Sequence, residues 1–354
     1  MSGNNINIAP QQNEIEVSVF GPGYGECILI HDGDGEWFII DSCIDSKSKE
    51  PAPLRYLHLI GVDYTKCVKQ IIVSHWHDDH IRGLGNIVER CKSAELIFSN
   101  ALQSKEFLTL VYAYTSNTMM KSTGVGEFKK ILEVLKDYGK KPKWALADRT
   151  LWRKKKGSPN KGYDCSIYSL SPSDSAILST QIELAKLMCE PDITKPKKPK
   201  GRVLALTHNR ASIVLWIEIG GICLLLGSDM ENYGNDDDGW SSVLNSTLYH
   251  QGKASVFKIS HHGSVNGHHE DVWKKMLDSN PIAILTPYNR GQQKLPTQDD
   301  VQRICALTKS AYSTFDFRAE KIKGRGIAIK KTIKEINAHL KSLNNSTFAV
   351  EKYG

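Results

Sequence analysis

A chain of 354 residues, 40% hydrophobic and 24% charged, has the composition of an ordinary globular protein with room for a sizeable core. No apolar stretch approaches the roughly 20 residues that span a bilayer, so no membrane partner is expected. The formal charge of +7, from 46 Lys and Arg against 39 Asp and Glu, mildly favours anionic partners such as nucleic acid.

The first segment, "MSGNNINIAPQQNE", lacks the basic start and apolar centre of a cleaved signal. Eight cysteines are scattered without a C-x-x-C pair, several inside apolar runs, and read as reduced core residues of a cytoplasmic protein. From 14 to 41, "EIEVSVFGPGYGECILIHDGDGEWFIIDS" alternates and then runs apolar between Gly and Asp turns, which predicts consecutive strands. Gly21, Gly23 and Gly25 are not followed by helical text, so they mark a tight bend rather than a phosphate-cradling loop.

A short helix is predicted at 54–62, a buried strand at 69–75, a helix at 81–92 and a strand at 94–100. That alternation places helices over a sheet. Between 101 and 202 the pattern loosens into helices at 126–139 and 175–188, separated by the basic runs Arg153 to Lys156 and Lys195 to Arg202. The expectation is one domain over 1–354 with a helical, basic insertion at 101–202, whose Trp144, Trp152 and Tyr163 pack a small core of its own. Strands resume as a hairpin over 211–229, turning at Gly220 and Gly221, and continue at 254–264 and 281–289 before a last helix near 332–343.

Chemistry concentrates at "HWHDDH", directly after the apolar strand "KQIIVS". Alternation at a strand end points His75 and His77 to one side, while Asp79 and His80 open the next turn and face the same hole. Imidazoles with a carboxylate are ligands of catalytic zinc and comparable divalent ions, and two cations could share this hole. Asp78 fills a variable position, as a surface or capping carboxylate.

The H-x-H-x-D-H run resembles the hallmark of the metallo-β-lactamase-fold hydrolases, which implies an α/β fold: an αββα sandwich with a one- or two-metal site at the sheet edge. Further matches follow in order. Asp41 ends "EWFIID" as a supporting aspartate, Asp229 ends "GICLLLGSD" as the aspartate bridging two metals, and His262 in "VFKISHHG" completes the second metal's shell. The resemblance covers about residues 14–100 and 203–300. It departs where a third first-site histidine would stand, His208 being the nearest candidate. "THNRAS" and "HHGS" resemble instead a subgroup that includes the hydrolase domain of bacterial DNA-uptake competence proteins and a phosphorylcholine esterase, with Glu26 in place of that subgroup's early aspartate.

The resemblance implies one divalent metal on His75, His77 and Asp229 and another on Asp79, His80, Asp229 and His262, zinc first and manganese as the alternative. Asp79 and His261 are the catalytic candidates, and His208, Asn209, Tyr288 and Arg290 the substrate-binding ones, with Lys294 on the same loop; His268 and His269 read as a surface turn. The expected reaction is hydrolysis of a phosphodiester in DNA, RNA or a small molecule, by water whose pKa a divalent metal lowers toward 7. The alternatives are another bond class (lactone, thioester, small cyclic nucleotide) and a non-catalytic scaffold that meets a protein partner through the insertion.

Overall fold

The computed structural model describes residues 8–21, 24–104, 107–109, 111, 124–156, 162–189, 209–246, 252–290 and 293–314. Two sheets carry the fold. The first has the order β1 (Ile15–Phe20), β2 (Cys27–Asp32), β3 (Trp37–Asp41), β4 (Val68–Val73), β5 (Glu95–Ser99), β6 (Lys143–Ala145). The second runs β15 (Ser310–Ser313), β12 (Leu277–Leu285), β11 (Ala254–Lys258), β10 (Ile222–Leu226), β9 (Leu215–Ile219), β8 (Cys165–Ser169), β7 (Arg149–Lys154). A separate hairpin pairs β13 (Tyr288–Arg290) with β14 (Gln293–Leu295).

Strand alternation builds the layers. Val17 and Val19, Ile28 and Ile30, and Phe38 and Ile40 point inward from the first sheet and meet Ile167, Ile217, Leu224, Leu226 and Val256 of the second. The intervening positions, among them Leu29, Trp37, Ile39, Ile71 and Val73, point outward under helices α1 (Ala52–Leu59), α4 (Leu84–Arg90) and α5 (Gly124–Asp137). Helix α5 contributes Phe128, Ile131 and Leu135, one face at helical spacing. Trp216, Leu225 and Phe257 play the same part on the far side, under α7 (Gly239–Leu244) and α8 (Gln298–Leu307). Three cores between four layers make the αββα sandwich.

Each sheet changes direction once. β1, β2 and β3 pair antiparallel, and β3 through β6 parallel. β7 through β10 pair antiparallel, and β10, β11, β12 and β15 parallel. Parallel strands deliver their C-terminal ends to one edge, where ligands gather in open α/β sheets.

Several expectations need correction. The stretch 101–202 contributes β6 to the first sheet and β7 and β8 to the second. Trp144 therefore packs on the helix-covered face of the first sheet, and Trp152 and Tyr163 on the core between the sheets, rather than in a core of their own. The helix expected at 81–92 starts at Asp78 as the single turn α3 (Asp78–Ile81) and restarts as α4, because Gly83 between them is left-handed. Lys154 is no exposed end of a basic run: it meets Asp32 at 2.7 Å, Asp34 at 3.0 Å and Glu36 at 3.2 Å, tying β7 to the β2–β3 turn. The run 195–202, His208 and the expected helix at 332–343 lie outside the described residues. Helix α2 (Tyr64–Cys67) and α6 (Asp174–Cys189) complete the named helices, α6 matching its expected range. Cys27, Cys43, Cys91 and Cys165 are buried free thiols. Among the described residues no helix is long and apolar enough to cross a membrane.

Candidate metal centre

Each residue of the centre follows the C-terminal end of a parallel strand. Asp41 closes β3, His75 to His80 follow β4, Asp229 lies just beyond β10, and His262 beyond β11. The backbone bends sharply there. Of the seven non-glycine residues with positive φ among the described residues, four are Asp41, Ser228, His261 and His262. Such conformations cost on the order of 1–3 kcal/mol each and gather at functional sites.

Among the described residues three groups of ligand-type atoms lie within 4.8 Å of one another: Glu26, Asp41 and His80, and the two that face the hole, His75, His77 and Asp229, and Asp79, His80, Asp229 and His262. Asp229 belongs to both. Its Oδ1 lies 3.3 Å from His80 Nε2, and its Oδ2 lies 3.7 Å from His75 Nε2 and 3.6 Å from His262 Nε2. Asp79 Oδ2 lies 3.1 Å from His262 Nε2 and 3.8 Å from His80 Nε2.

The other imidazole nitrogens are already committed. His80 Nδ1 meets Asp41 Oδ2 at 2.8 Å, His262 Nδ1 donates to the Thr286 carbonyl at 2.8 Å, and His75 Nδ1 meets Ser74 Oγ at 3.0 Å. A carbonyl only accepts, so the hydrogen of neutral His262 is on Nδ1 and its Nε2 lone pair faces the hole. His75 Nε2, His80 Nε2 and Asp229 Oδ1 are buried without a hydrogen bond. Buried polar atoms rarely stay unsatisfied. Converging on one hole with the outer nitrogens tied down, they fit divalent cations bound by imidazole and carboxylate.

The electrostatics point the same way. Burial favours the neutral acid at Asp229 and Asp79, yet the neighbouring histidines hold both carboxyls below the usual range, Asp229 furthest. Burial also opposes a charge on His80, but Asp229 and Asp41 overcome it and raise its pKa well above the ordinary value; His262 is raised in the same way by Asp229 and Asp79. His75 is instead held neutral by burial and by His80 and His77. The buried carboxylates thus demand positive charge, which protons on two histidines or bound cations can supply.

A buried scaffold that sequence reasoning missed supports this loop. Lys258 and Glu26, each 1% exposed, form an ion pair at 2.6 Å that joins β11 to the start of β2. Thr286 Oγ1 donates to the same Glu26 oxygen, Lys258 Nζ donates to the Ile259 carbonyl at 2.9 Å, and the Glu26 amide donates to the Asp79 carbonyl at 2.8 Å. Gly25, at φ +97°, permits that last contact: a Cβ there would stand 2.9 Å from Cys43 Cβ and 3.2 Å from the Asp79 carbonyl oxygen. Asp41 holds the other side, accepting from Ser74 N at 2.7 Å and Ser74 Oγ at 2.6 Å.

The remaining candidates surround the centre. His261 Nδ1 lies 3.2 Å from Glu231 Oε1 and 3.1 Å from Ser264 Oγ, and Asn209 Nδ2 donates to the same Glu231 oxygen at 2.8 Å. Asn209 is therefore joined to His261 through Glu231, a residue that no sequence motif marks. The Tyr288 ring lies 5.3 Å from that of His262 and 5.5 Å from that of Tyr24, and the Arg290 guanidinium stands 4.4 Å over Tyr24. His269 Nδ1 accepts from the Asp271 amide at 3.2 Å, as a surface turn would have it.

Residues 20–106 match the family model described as the metallo-beta-lactamase superfamily. That match spans β2 to β5 with the His75–His80 loop, so over this stretch the chain is similar to that superfamily, and the ligands grouped at the same sheet edge are a set suited to divalent metal. Over 84 residues it is 31% identical to ComE operon protein 3 of Bacillus subtilis (strain 168), a match covering 24% of this chain and 10% of that protein. The chain thus spans about a tenth of the curated relative it matches. Among solved structures, a Cronobacter sakazakii metallo-beta-lactamase with a HARLDQ motif is 11% identical, with a TM-score of 0.33 over 68% of this chain and 73% of that one. A subclass B3 metallo-beta-lactamase from a soil metagenome library is 12% identical, with a TM-score of 0.35 over 74% and 84%.

Proposed function

We propose that the protein is a two-metal phosphodiesterase acting on nucleic acid. The observation that carries the reading is the sharing of Asp229 by two ligand groups. One group would be held by His75 and His77 with Asp229, the other by Asp79, His80 and His262 with Asp229. Divalent ions held there would supply water acidic enough to attack at neutral pH and counter-charge for a pentavalent phosphorus transition state.

The chain's own residues do the rest. Asp41, Ser74 and the Thr286 carbonyl fix the imidazoles so that only Nε2 faces the substrate side. Asp79, its backbone pinned by Glu26, is the carboxylate that would take the proton of the attacking water. With Nδ1 of His261 engaged by Glu231 and Ser264, Nε2 is the nitrogen left to protonate a departing alkoxide. Support for a phosphodiester comes from the competence-protein-like text "HHGS", the net charge of +7 and the guanidiniums near Tyr24.

The test is to strip the protein with chelator, restore zinc or manganese, and measure bound metal together with hydrolysis of bis(p-nitrophenyl) phosphate, a lactone panel and a thioester. Two metals per chain and selective diester cleavage are expected. Preferred cleavage of a lactone or thioester would overturn the phosphodiester reading, and fewer than two metals the dinuclear one.

A further inference from the structure

The mouth of the centre is cationic although its floor is carboxylate-rich. The Arg82 guanidinium lies 5.6 Å from the centroid of the Tyr24 ring and that of Arg290 lies 4.4 Å from it. Arg55, Arg90, Arg210 and Arg303 each pair with a carboxylate, those of Asp45, Glu50, Asp238 and Asp300. Among the described residues no carboxylate pairs with Arg82 or Arg290. Both guanidiniums instead face the ring of the same tyrosine.

All three residues are fastened to the elements that hold the ligands. Arg82 follows His80 by two positions, and its carbonyl accepts from Ser42 Oγ at 2.7 Å. Tyr24 precedes the Gly25–Glu26 segment that pins Asp79. Arg290 ends β13, which continues from the Thr286 carbonyl that orients His262. Burial and the carboxylates of Asp79 and Asp78 push the Tyr24 hydroxyl up to about 12, with Arg290 acting in the opposite sense, so Tyr24 stands between a negative floor and a positive rim.

We propose that Arg82 and Arg290, held against the Tyr24 ring, bind the phosphate next to the scissile one, making the substrate a chain of phosphodiesters rather than an isolated diester. The proposal rests on the phosphodiester reading above. A phosphoryl group in reaction must sit among Asp79, Asp229 and His262. From His262, the Tyr288 ring at 5.3 Å and the Tyr24 ring a further 5.5 Å away intervene before the guanidinium of Arg290. A polynucleotide running from the centre past these rings carries a further phosphate for the guanidiniums to hold; an isolated diester carries none. Guanidinium presents a planar fork suited to phosphate oxygens, and aromatic rings beside basic side chains are the usual means of holding a single strand.

The experiment compares wild type, R82A, R290A, R290K and the double alanine variant, each loaded with metal, on a fluorescein-labelled oligothymidylate decamer and on bis(p-nitrophenyl) phosphate. Anisotropy of the same decamer against metal-free protein across a salt series gives a readout independent of turnover. Each alanine change is expected to lower kcat/KM on the decamer about tenfold through KM, with a much smaller loss on bis(p-nitrophenyl) phosphate, and to reduce the salt slope of binding by about 0.7 per contact. R290K should keep the slope and recover part of KM. Equal losses on both substrates, or an unchanged slope in folded variants, would overturn the inference while leaving the diesterase intact. A metal-loaded wild type that neither cleaves nor binds either probe would overturn the diesterase reading and this inference together.

Discussion

The two sheets repeat one plan and use it differently. Both pass from antiparallel to parallel pairing, and both turn the C-terminal ends of their parallel strands to the same edge. The first sheet concentrates its contribution in one loop, His75 to His80, with Asp41 behind it. The second spreads Asp229, His262 and the Thr286 carbonyl over the ends of three strands. A contiguous loop can gather several donors by local geometry, whereas dispersed donors come together only if the sheet registers correctly. The second half therefore depends on tertiary closure in a way the first does not.

Removing the shared carboxylate strikes both halves at once. Asp229→Asn is expected to abolish binding of both metals and to lower diesterase turnover roughly a thousandfold or more, the upper scale for losing one preorganised electrostatic contact. His77→Ala should instead leave about one metal per chain, as elemental analysis of dialysed protein would show. Two metals retained in Asp229→Asn would dissolve the distinction between shared and unshared ligands.

The seam between the halves comes next. Lys258→Met leaves Glu26 buried and uncompensated and should cost about 3–5 kcal/mol of stability, while the double change with Glu26→Gln costs less than the single one. Urea denaturation of wild type and the two variants reads this directly, and a double variant no more stable than Lys258→Met would deny the pair its bridging role.

A smaller effect separates support from ligation. Asp41→Asn keeps the size of the side chain but weakens the hold on His80 and should reduce metal affinity about 10–100-fold, measured by competition with a chromogenic chelator. An unchanged affinity would mean that Ser74 and the backbone suffice to orient the loop.

The mildest test is pH. His75, held neutral, leaves the folded protein without a proton that the unfolded chain binds below its ordinary value of 6.5, so stability falls as pH drops. His80 and His262, raised above 6.5, stabilise while protonated, and that contribution is lost as pH rises through their elevated values. Metal-free protein should therefore melt highest near pH 6.5, and bound metal should remove the decline on the alkaline side. Parallel alkaline slopes with and without metal would refute the assignment of those histidines to the metal hole.

What could be read from the sequence follows the same division. His75, His77, Asp79 and His80 are visible because six adjacent positions carry the pattern, and Asp229 and His262 because each closes an apolar strand. Glu26 and Lys258 stand 232 positions apart, and no local pattern announces an ion pair closed by tertiary packing. Lys154 shows the converse: it stands in a basic run, and nothing local to that run announces the three carboxylates of the β2–β3 turn that enclose it. The strands within 101–202 escaped notice because β7, "RTLWRK", sits at a sheet edge where only Leu151 is buried. Glu231 and Arg82 gain meaning only from what lies across the fold.

Ser228 shows where persistence and chemistry part company. It occupies left-handed backbone at φ 47°, and its amide neighbour Asp229 is the carboxylate both ligand groups use. Glycine there would relax the backbone and let the loop wander, at the loss of a hydroxyl 3.4 Å from His75 Nδ1. Ser228→Gly is thus the replacement to make when a hardier but more slowly reacting protein is wanted, since directed improvement of such a chain meets this exchange wherever a constrained turn aims a ligand.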